Sequence, residues 1–250
     1  MKTNRNIRLH INEKLSSGTV IKVMEKVSHY LCNVMRCQTG EVFRCFNAVD
    51  GEFFCRIAAI EKKSVSLEIM ELNRRPQAES DVWLLFAPLK KDKTDFVIEK
   101  ATELGVNKII PVITRYTNAD KIKTERFAAQ AVEAAEQCGR LSVPEVAAPV
   151  SLEKLLSDWD EKRILFFMDE RRQGNDAASV FKDFAGCPAA VLVGPEGGFS
   201  EGEAETLNTK AFVKNLNLGP RILRAETAAA AALAVWQACA GDWSRQEGQK

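Results

Sequence analysis

The stretch from Leu192 to Glu203, LVGPEGGFSEGE, joins a strand pattern to the start of a helix. Before it, residues 188–193 form a short run of apolar and branched side chains, which predicts a buried strand. Ser200 is followed three residues later by Glu203, a spacing that predicts a capping box at a helix N-terminus. A glycine-rich loop between a strand and a helix usually marks a ligand site, and the alternative is a tight turn with structural glycines.

The charge of this loop limits the kind of ligand that it can bind. Glu196, Glu201 and Glu203 crowd the positive end of the predicted helix dipole, where a phosphate would have to lie. The glycine spacing fits neither the dinucleotide-binding nor the P-loop pattern. The loop therefore favours an uncharged or cationic ligand held by backbone groups.

A second loop of the same kind, GPRILRAET at residues 219–227, follows a strand-like run and leads into an alanine-rich helix. GPEGGFSEGE and LGPRILRAETA together closely resemble the RsmE-type 16S ribosomal RNA uridine-N3 methyltransferases of the SPOUT superfamily, and the resemblance covers nearly the whole chain. In that family the two loops bind S-adenosylmethionine, whose sulfonium is cationic and which carries no phosphate. The resemblance therefore agrees with the acidic character of the first loop.

The resemblance also implies which residues bind the cofactor and the RNA. The cofactor-binding residues that it implies are Met168, Leu192, Gly194, Gly198, Leu218, Gly219, Ile222 and Leu223. The predicted RNA-binding residues, of which the last four match basic positions of the family pattern, are Arg5, Arg8, Arg36, Lys90, Lys93, Arg115 and Arg140. For Lys90, Lys93, Arg115 and Arg140 the alternative is a solvated surface charge. Family members often carry an aromatic after the first arginine, whereas this chain reads RNIR at residues 5–8, so we expect phosphate contacts there without base stacking.

The implied reaction is methylation of N3 of one uridine, at position 1498 in conventional rRNA numbering. The N3 proton is weakly acidic, so the site must help to remove it or must stabilise the resulting anion. Arg224 and Arg221 could stabilise a uracil anion, and Glu196 could act as a base or hold its loop in shape. The alternatives are a ribose 2′-O-methyltransferase of the same superfamily and a non-catalytic RNA-binding protein, which the two intact loops disfavour.

Length and composition limit the class of protein. The chain has 250 residues, 46% of them hydrophobic, which is enough for a sizeable core in one or two domains. It has no apolar run of about 18 residues and no charged-then-apolar leader, so we expect neither a membrane span nor secretion. Seven cysteines without a C-x-x-C pair and only two histidines predict reduced thiols and no metal site. We therefore expect a cytoplasmic protein.

The first 75 residues are basic and the remainder is mildly acidic, although the formal net charge of the chain is only +1. They contain several short strand patterns, a hairpin signal at Asp50-Gly51 and one helix pattern from Glu25 to Met35, which suggests a small β-barrel. The resemblance implies a PUA-like RNA-binding barrel at residues 1–73. An anionic partner fits this basic module, with ordinary surface solvation as the alternative.

Residues 74–250 alternate strand and helix patterns, which predicts an α/β domain with a mostly parallel sheet. The resemblance implies that this is the SPOUT methyltransferase domain with a C-terminal trefoil knot, and that the partner is 16S rRNA within the small ribosomal subunit. The last helix pattern, residues 226–240, is small or apolar nearly all round and must be buried on most sides. The resemblance implies a homodimer through this helix, and the alternative is a central helix within one subunit.

Overall fold

The computed structural model describes residues 7–118, 122–171 and 174–244, and the chain forms two compact units. Unit 1 comprises the described part of Met1–Ala78 together with Ala135–Val143. Unit 2 comprises the described parts of Glu79–Ala134 and Pro144–Lys250. The division predicted at residue 73 assigns residues 135–143 to the second domain, whereas these residues pack with unit 1.

Unit 1 is built on one curled sheet of five strands in the order β1-β3-β4-β5-β2. Only the β1–β3 pair is parallel, and the long strands β4 and β5 bend where their register shifts. The strands are β1 (Arg8–His10), β2 (Val20–Met24), β3 (Val42–Asn47), β4 (Gly51–Ile60) and β5 (Ser64–Arg74). The helix α1 (Glu25–His29) continues as a π-helical turn (Tyr30–Val34). The predicted mainly β module is thus confirmed.

Unit 2 contains an eight-stranded sheet whose main path is β11-β13-β10-β12-β6-β7-β8, with β9 beside β7. Its strands are β6 (Val82–Phe86), β7 (Lys108–Ile113), β8 (Glu145–Val146), β9 (Val150–Ser151), β10 (Ile164–Met168), β11 (Asn175–Asp176), β12 (Ala189–Val193) and β13 (Val213–Asn217). Its helices are α2 (Lys91–Glu103), α3 (Thr124–Cys138, with its last turn in unit 1), α4 (Leu152–Ser157), α5 (Ala177–Phe181), α6 (Glu201–Asn208) and α7 (Ala225–Cys239).

All the strand pairs recorded in unit 2 are parallel, which confirms the predicted α/β class. The central strands β10 and β12 are almost wholly buried because the sheet is covered on both faces. Met168, at the end of β10, pairs with Val193 of β12 and with Leu216 of β13, so the loops after these three strands converge at one edge. Ligands of open parallel sheets bind at this carboxyl edge. The trefoil knot stays a prediction.

Helix α7 packs on α2, α5 and β12. Trp236 is its largest buried side chain, and its ring centroid lies 5.5 Å from that of Phe166 and 5.3 Å from that of Phe181. Several small residues on other sides of α7 are only half-buried, so the rest of this chain covers only part of the helix surface. No helix in the described ranges is long and apolar enough to cross a membrane.

Candidate active site at the carboxyl edge of the parallel sheet

A cavity of about 370 Å³ opens at the carboxyl ends of β10, β12 and β13. Seven of the eight predicted cofactor-binding residues line it: Met168, Gly194, Gly198, Leu218, Gly219, Ile222 and Leu223. The eighth, Leu192, is fully buried, and its side chain packs in the hydrophobic core of unit 2. The structure therefore brings both glycine loops to one cavity, while the Leu192 side chain supports the sheet behind it.

The first loop requires glycine at two positions for different reasons. A Cβ atom at Gly194 would lie 2.6 Å from the Phe199 ring, which packs edge-on against Phe167. Gly198 has a φ of +71°, and a Cβ atom there would clash with the carboxylate of Glu170. Both glycines line the cavity, so a larger residue at either position would distort the loop that borders the ligand.

The predicted capping box is present at the start of α6. Glu203 accepts a hydrogen bond from the backbone N–H of Ser200 at 2.9 Å, and the Ser200 hydroxyl accepts one from the N–H of Glu203 at 3.4 Å. The other carboxylate oxygen of Glu203 accepts a hydrogen bond from the backbone N–H of Arg115 at 2.7 Å. This last contact, which the sequence does not reveal, ties the loop after β7 to the first glycine loop.

Three charged side chains, Lys93, Glu196 and Glu226, form a group that we call the Lys93 cluster. The Nζ atom of Lys93 lies 3.1 Å from Glu196 Oε1 and 3.7 Å from Glu226 Oε2. Lys93 and Glu196 also line the cavity. Lys93 therefore connects α2 to the first loop and to the first turn of α7, whereas the sequence predicts an RNA contact or a solvated surface charge for it.

Sequence reasoning missed a carboxylate that follows β10. Asp169 lines the cavity, yet the whole residue is only 4% exposed. Arg171 binds it through Nε and Nη2, both at 2.9 Å, and Asn215 donates to it at 3.1 Å. Burial by itself raises the pKa of Asp169, but these hydrogen bonds outweigh it and hold the pKa below its ordinary value. Its place directly after a buried strand is the signal that could have identified it.

Four exposed basic residues lie in loops or at helix starts on the same edge of the sheet, and we call them the basic rim: Lys90, Arg115, Arg221 and Arg224. Arg221 and Arg224 line the cavity, and Arg224 is the N-cap residue of α7. Lys90 follows β6 and is the N-cap residue of α2, while Arg115 follows β7. In the described ranges none of these four side chains forms an ion pair, so their charges are available to an anionic ligand.

The predicted RNA contacts of unit 1 have different surroundings. Arg5 lies outside the described residues. Arg36 is exposed, and Arg140 is half-buried with its Nε atom 2.7 Å from the Ser142 hydroxyl. The prediction for Arg8 is wrong, because this arginine is only 8% exposed and its guanidinium binds Glu52 at 2.6 Å.

Further hydrogen bonds explain why Arg8 is buried. Its Nη1 atom donates to the carbonyls of Ala135 and Glu136 at 2.8 and 3.0 Å, and Nη2 donates to the carbonyl of Arg140 at 2.9 Å. Two of these carbonyls belong to the last turn of α3, where backbone acceptors lack helical partners and the dipole favours a cation. Arg8 therefore caps the last turn of α3, which belongs to unit 1, and its guanidinium is occupied by acceptors of the protein itself.

Known proteins resemble this chain in both sequence and structure. Residues 76–237 match the RNA methyltransferase domain family, and residues 25–70 match the RNA methyltransferase PUA domain family. Ribosomal RNA small subunit methyltransferase E of Rickettsia conorii is 33% identical over 91% of this chain and 93% of its own length. The protein of the same name from Bacillus subtilis is 31% identical over 86% of this chain and 89% of its own length.

Two solved structures extend the likeness to the fold. Ribosomal RNA small subunit methyltransferase E from Neisseria gonorrhoeae, solved with S-adenosyl methionine, has a TM-score of 0.87 at 27% identity and covers 96% of this chain and 100% of its own. A methyltransferase from Legionella pneumophila, solved with its bound cofactor SAM, has a TM-score of 0.85 at 29% identity and covers 95% of this chain and 99% of its own. The chain therefore belongs to the RNA methyltransferase family whose members include ribosomal RNA small subunit methyltransferase E.

Proposed function

We propose that the protein transfers a methyl group from S-adenosylmethionine to N3 of one uridine in 16S ribosomal RNA, at position 1498 in conventional numbering. The observation that carries the proposal is the cavity bounded by both glycine loops and bordered by the exposed arginines of the basic rim. The names of the relatives, which act on small-subunit ribosomal RNA, support the substrate class.

The residues of the cavity fit S-adenosylmethionine. The volume of about 370 Å³ lies within the range of small-molecule sites, and the lining combines apolar side chains with three carboxylates, Asp169, Glu170 and Glu196. Carboxylates attract the cationic sulfonium, and glycine at positions 194 and 198 permits close backbone approach. When bound, the cofactor supplies the methyl group. Met168, Leu218, Gly219, Ile222 and Leu223 would hold it together with those glycines, and Leu192 would contribute only through its backbone.

The chain must also make N3 of the uridine nucleophilic. We assign Arg224 to this task, because an exposed guanidinium at the cavity can stabilise the negative charge that the uracil gains when N3 loses its proton. Arg221 adds positive charge beside it. Glu196 also lines the cavity and is our candidate to accept the N3 proton, with the ammonium of Lys93 holding its carboxylate in place.

The remaining proposals concern the partners. The exposed residues Lys90, Arg115 and Arg36 would contact phosphates of the rRNA, and the base must be unpaired or flipped to expose N3. We propose a homodimer through the half-buried small residues of α7, because their size allows a second helix to approach closely. Because the proposed substrate belongs to the small ribosomal subunit, we also propose that the protein acts in the cytoplasm.

Nucleoside mass spectrometry tests the proposed reaction. Ribosomal RNA from cells with the gene should contain N3-methyluridine at one position of the small-subunit RNA, and rRNA from cells without the gene should lack it. Purified protein and S-adenosylmethionine should restore it, on naked 16S rRNA or on isolated small subunits. Methylation of a ribose 2′-hydroxyl instead would contradict the proposal.

A matched pair of glycine variants tests the cofactor site. Gly198→Val should abolish binding of S-adenosylmethionine, because the backbone has a positive φ and the new side chain would clash with Glu170. Gly202→Ala in the exposed first turn of α6 is the control, since no atom lies within 4 Å of the added methyl group. Calorimetry on both folded variants measures the effect, and normal binding by Gly198→Val would place the cofactor elsewhere.

A further inference from the structure

Tyr116 is an exposed aromatic residue beside the first glycine loop. Its side chain is in the loop after β7, and 55% of the residue surface is exposed. A Cβ atom built on Gly197 would lie 3.2 Å from the Cβ of Tyr116, so the base of the tyrosine side chain lies close to the loop backbone. Gly197 lies between Glu196 and Gly198, which both line the cavity. Tyr116 therefore stands next to the backbone that borders the proposed cofactor.

The backbone under Tyr116 is fixed by hydrogen bonds. The N–H of Thr117 donates to the carbonyl of Thr114 at 3.1 Å, and the hydroxyl of Thr117 accepts from the N–H of Thr114 at 2.9 Å. Arg115 is bound through its N–H to Glu203, as described above. These contacts close a tight turn and attach it to α6, so Tyr116 is presented outward from a rigid support.

The neighbour of Tyr116 supplies the second component of a single-stranded RNA site. Arg115 is exposed, and among the described residues its side chain forms no ion pair. Proteins that bind unpaired RNA combine cationic side chains, which contact the phosphates, with aromatic rings on which bases stack. The pair Arg115–Tyr116 provides both groups on one turn at the edge of the cavity.

We propose that Tyr116 stacks on an unpaired base of the RNA substrate and so positions the strand that carries the target uridine. This inference rests on the proposed function, because it requires a single-stranded RNA at the cavity. A stacked base needs the face of the ring and not the hydroxyl, so phenylalanine should replace tyrosine. The contact is made to RNA alone, so the affinity for S-adenosylmethionine should not depend on it.

Three variants of the full-length chain test the inference: Tyr116→Ala, Tyr116→Phe and the control Trp243→Ala. Trp243 is also exposed, at 61%, but its neighbour Asp242 binds the backbone of Ser80 before β6, at the opposite edge of the sheet from the cavity. The methyl acceptor is 16S rRNA, or small subunits, from cells that lack the gene. We expect Tyr116→Ala to raise KM for RNA about tenfold with little change in kcat, and the other two variants to behave as wild type.

Calorimetry with S-adenosylmethionine and sedimentation of each variant distinguish base stacking by Tyr116 from support of the glycine loop and from contact with a second copy of the chain. Equal KM values for Tyr116→Ala and wild type would overturn the inference, as would a Tyr116→Phe variant as impaired as Tyr116→Ala. Weakened cofactor binding in Tyr116→Ala would show that the ring only supports the loop, and a changed oligomeric state would show that it contacts a second copy. If wild type transfers no methyl group, the proposed function fails, and RNA binding measured by fluorescence anisotropy still decides whether Tyr116 contributes.

Discussion

Each unit contains a cluster of opposite charges, and the two clusters differ in how far water reaches them. In the Glu52 cluster of unit 1, formed by Arg8, Glu52 and Arg74, the Glu52 side chain has no exposed surface. Arg8 binds it at 2.6 Å and Arg74 at 2.9 and 3.1 Å. In the Lys93 cluster of unit 2, Lys93 is 30% exposed and Glu196 is 43% exposed. In the first cluster Glu52 and Arg8 are enclosed and Arg74 is 41% exposed, whereas the second cluster borders a cavity.

This difference separates charges that stabilise the fold from charges that serve a ligand. A buried carboxylate that loses its arginines, or a buried arginine such as Arg8 that loses its carboxylate, leaves an uncompensated charge in a medium that solvates it poorly. A half-exposed ion pair contributes little to stability because water competes for both partners. The Glu52 cluster should therefore determine the stability of unit 1, while the Lys93 cluster should determine the shape of the cavity.

The largest effect is expected for Glu52→Gln. This change leaves Arg8 and Arg74 without their carboxylate and should lower the free energy of unfolding of unit 1 by about 3–5 kcal/mol. Urea denaturation followed by circular dichroism, with hydrogen exchange in β4 and β5, measures it. The four tryptophans all belong to unit 2, so their fluorescence should change less.

Glu68→Gln is the matched control for this experiment. Glu68 also pairs with an arginine of a neighbouring strand, Arg56, but the two side chains are 35% and 46% exposed. We expect a loss of less than about 1 kcal/mol, because water replaces the missing partner. Similar losses in the two variants would mean that burial does not distinguish the pairs.

Acid should remove the same stabilisation from the wild-type protein. Burial by itself raises the pKa of Glu52, but hydrogen bonds from Arg74, Arg8 and Asn73 outweigh it and lower the pKa from 4.5 to about 2. Because the pKa is lower in the folded protein than in the unfolded chain, the ionised carboxylate stabilises the fold at pH values above 4.5. This stabilisation is lost as the pH falls from 4.5 through about 2. The shift corresponds to about 3 kcal/mol.

Denaturation of wild type and Glu52→Gln at several pH values checks this expectation. Glutamine resembles the protonated acid, so the stability difference between the two proteins should shrink between pH 4.5 and about 2. A difference that stays constant over this range would show that Glu52 does not titrate as the cluster geometry requires.

The sequence predicts those features that depend on neighbours along the chain. The capping box at Ser200 and Glu203, the hairpin at Asp50-Gly51 and the alternation of strands and helices are local patterns, and all are present. The short strands β1, β8, β9 and β11, of two or three residues, carry too few side chains for a periodicity and were not predicted.

The sequence does not predict contacts between residues that are far apart along the chain. Arg8 looks like a surface arginine because the carbonyl of Ala135 that it binds is 127 residues away. Lys93 looks like an RNA contact for the same reason, since Glu196 lies 103 residues further along the chain. In both cases the residue type predicts a negatively charged partner, and only the fold decides whether that partner is RNA or protein.

A smaller effect is expected for Lys93→Met, and it acts on the ligand rather than on stability. Removal of the ammonium leaves the carboxylates of Glu196 and Glu226 without the cation that they share, so the first loop should move and the affinity for S-adenosylmethionine should fall about tenfold. Lys100→Met is the control on the same helix, because Lys100 pairs with Glu99 and Glu103 of α2 itself. Calorimetry measures the affinity. Loss of RNA binding with unchanged cofactor affinity would instead support the RNA contact that the sequence predicts for Lys93.

The smallest effect concerns Arg36, an exposed arginine of unit 1. Arg36 has a φ of +51°, and the N–H of Cys37 beyond it donates to the carbonyl of Leu31 at 2.8 Å, as in a helix end that normally carries glycine. A non-glycine residue in this conformation costs about 1–2 kcal/mol. An exposed guanidinium kept there in spite of the strain is consistent with an RNA contact.

Two substitutions of Arg36 separate binding from strain. Arg36→Ala and Arg36→Gly both remove the guanidinium, but glycine adopts the positive φ without strain, so Arg36→Gly should be at least as stable as wild type. Both variants should bind 16S rRNA more weakly and should reduce the slope of log affinity against log salt by about one unit, because one phosphate contact is lost. Cofactor affinity should not change. If the slope keeps its wild-type value in both variants, the guanidinium of Arg36 makes no phosphate contact.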